Sequence, residues 1–186
     1  MTHSALVLFN CQACCRSIAT VLTLSWLRVH PCKLDHMKDI FNKSVSDEVV
    51  SRIEKLTPEA QPHWGKMDAA QMLAHCNVTY EMAFTDKHPK PRGLMKLVVR
   101  MFVKNAVVSE KPYPRNSRTA PQFLISDGRS FKLEKTRLIA YVNQCQQLGA
   151  AYFDGKGSRS FGPLNTREWN NMFYKHLDHH LTQFGV

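Results

Sequence analysis

From Met37 onward, apolar residues recur at three- and four-residue spacing, the mark of amphipathic helices, and no segment alternates with the period of a strand. Ser46-Asp47-Glu48 opens a first helix carrying Val49, Ile53 and Leu56, and Pro58 stops it. A loop with Pro58, Pro62 and Trp64 follows. Asp68, with Gln71 three residues on, forms a capping box for a second helix that runs to about Phe84. After the proline-bearing stretch from Lys87 to Arg92, a third helix is expected over Leu94 to Val108. The connection from Glu110 to Asp127 is long and holds Pro112, Pro114 and Pro121, which suits an ordered loop better than an interdomain linker. A fourth helix is expected from about Phe131 to Tyr152, with Leu138, Val142, Cys145, Leu148 and Tyr152 as its apolar stripe and Gly155 and Gly157 as its stop. Asn165 and Glu168 form a second capping box, opening a last helix to the C-terminus. The class is all-α, a helical bundle with long connections.

Residues 1–36 differ from the rest. They are apolar, nearly free of acids, and hold Cys11, Cys14, Cys15 and Cys32 of the six cysteines. The run from Ser17 to Val29 is short for a transmembrane helix, and it lacks the early positive charge and small-residue cleavage site of a secretory signal. Residues 1–36 therefore read as an N-terminal extension, with Met37 as the expected physiological start and 37–186 as the bundle domain; a membrane or targeting segment is the competing reading. Cys11-Gln12-Ala13-Cys14 has a CxxC outline, but without a second half at matching spacing it is a weak zinc or redox signal. Cys76 and Cys145 read as buried thiols, not as a disulfide framework. A cytoplasmic protein without stable membrane insertion is expected.

The formal charge of +10 alters the picture only locally. Much of the excess lies between Lys87 and Arg118, where nine cations outnumber Asp86 and Glu110. Aromatic residues do not interleave this stretch as they do in base-stacking platforms, which weighs against nucleic acid. It reads as a solvated basic face, or as an electropositive rim that attracts anionic substrates.

The chemistry lies in the last helix. His176 and His180 stand one turn apart, on one face. At about 100° per residue, Trp169, Met172, Phe173, His176, His180, Gln183 and Phe184 share that side, while Asn171, Lys175, Asp178 and Thr182 take the other. Two imidazoles on an apolar face are either metal ligands or hydrogen-bonded core histidines. A bundle builds metal sites from facing helices, and His75 is the one histidine in the middle of another expected helix. His179 points about 60° away from His176 on the same wheel and reads as a flanking group. Cys76 points about 100° from His75, and Met67, Met72 and Met82 read as core filler. Three histidines around a divalent ion, Zn²⁺ or Ni²⁺, would leave a position open for water or substrate.

Trp64-Gly65-Lys66-Met67, the run Gln71 to Cys76, Phe161-Gly162-Pro163-Leu164, Trp169 and the ending Tyr174 to Gly185 together resemble the DinB/YfiT-like metalloenzyme superfamily, and more closely its DUF1569 subgroup, over about residues 38–186. The resemblance implies a four-helix bundle with a short additional helix, and a metal-ligand triad at His75, His176 and His180. It also implies a reaction class, in which a metal-activated low-molecular-weight thiol is transferred to a small electrophile. Hydrolysis of a small-molecule substrate fits the same three residues. The alternatives are a non-catalytic stress-response or interaction bundle with structural or vestigial histidines and, ranked below it, nucleic-acid binding. Such bundles also pair through exposed helix faces, so a homodimer is an expectation.

Overall fold

Residues 37–186 are described here from a computed structural model; the cysteine pair Cys11/Cys14 and the apolar run from Ser17 to Val29 lie outside them. Four helices form the bundle: α1 (Lys43–Lys55), α2 (Ala69–Phe84), α5 (Phe131–Phe153) and α6 (Thr166–Gln183). Between α2 and α5 the chain makes a shorter helical run, α3 (Gly93–Val98), a π-helical stretch (Val99–Val103) and α4 (Lys104–Val108), followed by a long loop with one 3₁₀ turn (Pro121–Phe123). An all-α bundle is thus what the chain forms.

Local signals explain most boundaries. Both capping boxes are made: Asp68 with Gln71 on α2, and Asn165 with Glu168 on α6. The first helix begins earlier than Ser46, because Asn42 caps it by accepting from the Ser44 N–H at 3.0 Å. The one strand pairing among the described residues is a hairpin of two-residue strands, β1 (Gly157–Ser158) with β2 (Gly162–Pro163), too short for any periodic pattern.

Two expectations fail for identifiable reasons. The stripe assigned to α5 holds through Leu138, Val142 and Cys145, all fully buried, but Leu148 and Tyr152 are 37% and 44% exposed. Gly149 (φ 73°, ψ 169°) lies in a region essentially reserved for glycine and breaks the helical phase. Phe153 then turns inward, where it meets Phe41, Trp169 and Phe173 at centroid distances of 5.1–5.5 Å. The second failure is the outer face of α6. Asn171 and Lys175 are buried, since they cap the end of α4: Asn171 Nδ2 donates to the Val108 carbonyl (2.8 Å), and Lys175 Nζ donates to those of Ala106 (2.9 Å) and Ser109 (2.5 Å). Helix-end carbonyls have no partner within their own helix, so α6 satisfies them and is buried on more than one side. Asp178, on the same side, keeps nearly half its side chain exposed and pairs with Arg52 at 2.7 Å, and Arg52 also donates to the Val186 carbonyl, tying α1 to the C-terminus.

The core runs through the centre of the four helices. Tyr80 of α2 stacks between Tyr141 of α5 (5.7 Å) and Phe173 of α6 (4.9 Å). At one end of this core the α2–α6 interface opens onto a cavity beneath the π-helical run and the long loop.

Candidate metal centre

His75 projects from the middle of α2, and His176 and His180 from successive turns of α6. Their rings form a nearly equilateral triangle, with centroids 4.9 Å (75–176), 4.6 Å (75–180) and 4.8 Å (176–180) apart. One nitrogen from each lies within 4.8 Å of the others. Among the described residues this is the cluster able to hold a metal ion. The structure brings the three candidate ligands together; His63 and His88 lie elsewhere, His88 bonded to Glu81 at 2.7 Å.

Each ring is held through Nδ1. His75 Nδ1 donates to the Phe123 carbonyl (2.9 Å), which can only accept, so its Nε2 carries a lone pair. Gln183 donates through Nε2 to the Trp64 carbonyl, and its Oε1 therefore faces His180 Nδ1 at 2.8 Å and accepts from it. His180 Nε2 is thus also a lone-pair donor. His176 Nδ1 meets the Thr79 hydroxyl at 2.9 Å, a partner that can accept or donate. Orientation of ligand imidazoles through the second nitrogen is the usual construction of metal sites.

The electrostatics run the same way. Burial lowers the pKa of all three rings: His180 to about 3, His176 well below the ordinary imidazole value, and His75 below it despite the opposing Phe123 bond. Neutral imidazole is the ligand form. His75 Nε2 and His176 Nε2 are 3.0 Å apart. Two nitrogens on a tetrahedral zinc, at about 2.0–2.1 Å each, stand roughly 3.3 Å apart, so the His75–His176 edge is close to the size such an ion needs. Three neutral nitrogens also suit Zn²⁺ or Ni²⁺ better than a hard cation that takes oxygen ligands.

Residues 38–185 match a family described as "Protein of unknown function (DUF1569)". The chain belongs to the DUF1569 family. No curated protein and no solved structure matches it.

In this DUF1569 chain the triad opens onto a cavity of about 900 Å³. Its walls are mostly apolar: Met67 and Met82 near α2, Met172 on α6, and Met95, Val99 and Val103 from the roof. His179 lies at its edge, half-buried, in edge contact with Trp64 (5.7 Å) and Tyr113 (5.7 Å); the flanking position read from the helical wheel agrees with this. Cys76 turns away, its thiol 3.7 Å from Met72 Sδ. Sequence reasoning missed the residues that orient the rings. Thr79 sits four positions after His75 and Gln183 three after His180, spacings that place them on the same helix faces. The Phe123 and Trp64 carbonyls carried no side-chain signal at all.

Proposed function

We propose that the protein is a metal-dependent enzyme of the DinB/YfiT type, holding one divalent ion, Zn²⁺ or Ni²⁺, on His75, His176 and His180 and acting on a small molecule with an apolar body. The observation that carries this reading is the set of hydrogen bonds on Nδ1, which leaves the Nε2 atoms of His75 and His180 as lone-pair donors within a cluster of three ligand nitrogens. The Phe123 carbonyl, Thr79 and Gln183 orient the rings. The low pKa of His180, about 3, keeps protons from competing for it.

A divalent ion, when bound, would supply Lewis acidity that lowers the pKa of a thiol or a water at its open position. The methionine and valine walls exclude water and receive an apolar substrate. Arg118, exposed on the cavity wall, is available to carboxylates of a low-molecular-weight thiol. Among the described residues burial raises the pKa of both Cys76 and Cys145 and leaves them inert, so the thiol of an S-transfer reaction would be that of a cosubstrate. The two cysteines among the described residues are free and buried, which fits the reducing cytoplasm proposed for the protein.

One observation favours a second reading. The 3.0 Å contact between His75 and His176 is a hydrogen bond that needs no metal if His176 carries its proton on Nε2 and Thr79 donates to its Nδ1. That is the arrangement of a non-catalytic bundle with structural histidines. Elemental mass spectrometry of untagged protein and of His180→Ala separates the two. Near-stoichiometric zinc or nickel in the parent, lost in the variant, supports the enzyme; a parent that stays empty after incubation with either ion supports the structural bundle.

A further inference from the structure

We propose that the helical run 93–108 docks the protein onto an anionic lipid surface. The run has two apolar faces. Met95, Val99, Val103 and Val107 line the cavity. Steps of four residues drift by about 40° each in an α-helix, and the wider π-helical turn at Val99–Val103 absorbs part of that drift, so all four stay on the roof. Leu94, Leu97, Val98, Met101 and Phe102 follow the i, i+3, i+4, i+7, i+8 pattern of a buried helix face, yet all five are exposed, Leu94 by 76% and Phe102 by 72%.

Charge says what covers this face. From Lys87 to Ser109 there are six cations, Lys87, Lys90, Arg92, Lys96, Arg100 and Lys104, and no acidic residue. Lys87 is paired with Glu81 and Lys104 with Glu168. Lys90, Arg92, Lys96 and Arg100 make no ion pair among the described residues, and all four are exposed. A second copy would bring two segments of the same sign together, with no anion on either segment to offset their cations. A nucleic acid would match the charge but leave the large aliphatic side chains in water. A leaflet with anionic headgroups matches both: acyl chains for the five apolar side chains, phosphates for the exposed cations Lys90 and Arg92 that lead into Leu94. Among the described residues no helix is long and apolar enough to cross a membrane, so the contact is interfacial.

Flotation of the full chain with vesicles tests this, using phosphatidylcholine alone and phosphatidylcholine mixed with phosphatidylglycerol. The protein is expected to float with the mixed vesicles only, and less as salt rises. Leu97→Ser/Phe102→Ser should weaken binding by at least about tenfold. Lys90→Gln/Arg92→Gln should weaken it by roughly fivefold per cation removed, and this exposed-cation variant carries the test if the serine variant fails to fold. Circular dichroism and metal content should be those of the parent. Absence of binding overturns the proposal. Equal binding by parent and both variants also overturns it, assigning the contact to another part of the chain. A self-associating parent whose dimer is abolished by the serine variant, without lipid binding, would assign the face to a second copy.

Discussion

Replacing Gly65 by alanine should damage the centre from a distance. Gly65 has φ +88°, and a Cβ there would stand 2.6 Å from Gln183 Nε2. Gln183 is a flexible side chain, but it is buried and held at both ends, by the Trp64 carbonyl and by His180 Nδ1. Moving it gives up both bonds, worth about 1 kcal/mol each, on top of about 1–2 kcal/mol for an L-residue at positive φ. The sum is about 3–4 kcal/mol, or a fall in Tm of roughly 10 °C for a domain of this size. His180 would also lose the partner that fixes its tautomer, and loss of such a partner weakens metal affinity by about 10–100-fold. Urea unfolding and a metal-competition titration measure the two effects. Gly155→Ala is the control: its φ is +69°, but nothing lies within 4 Å of the added Cβ, so it should show the backbone strain alone and normal affinity. If Gly65→Ala matched Gly155→Ala in both assays, the reasoning that Gln183 holds His180 would be refuted.

Thr79→Val removes the Nδ1 partner of His176 at similar volume; metal affinity should fall by about 10–100-fold and stability by about 1–3 kcal/mol for the unpaired buried nitrogen, and an unchanged titration would contradict the assigned role. The three histidines have folded pKa values below the unfolded value of about 6.5, so the unfolded chain binds more protons and stability rises with pH. Their contribution is complete above about pH 6.5 and falls below it, by up to about 1.4 kcal/mol per pH unit for each ring, on towards the folded values. Thermal melts of chelator-treated protein should therefore drop between about pH 7 and pH 5, above the carboxylate range, and a flat profile would refute the assignment. Phe153→Ala should cost about 3–5 kcal/mol in urea unfolding and Tyr152→Ala under 1 kcal/mol; the reverse order would mean that Gly149 does not reset the phase of α5.

What could be read from the sequence followed the range of the interaction. Capping boxes at Asp68 and Asn165 act over three residues, and both are made where expected. The pair His176/His180 is one turn of one helix, and its inward face followed from Trp169 and Phe173 beside it. His75 could be proposed because a histidine in the middle of an apolar helix needs a partner. The rest depends on chain segments far apart. Asn171 and Lys175 look solvated on a helical wheel, because only the fold brings the open carbonyls of α4 to them across more than 60 residues. The Phe123 carbonyl reaches His75 over 48 residues and the Trp64 carbonyl reaches Gln183 over 119, and a backbone acceptor has no residue type to announce it. Gly65 shows how such information is nonetheless stored. A glycine beside Trp64 is an unremarkable loop residue until the end of α6 lies against it; then the missing Cβ is the space that Gln183 occupies. The choice of glycine in one loop thereby sets the tautomer of a histidine on another helix, and it is there, more than in the ligands themselves, that substitution should separate a metal centre from a cluster of buried histidines.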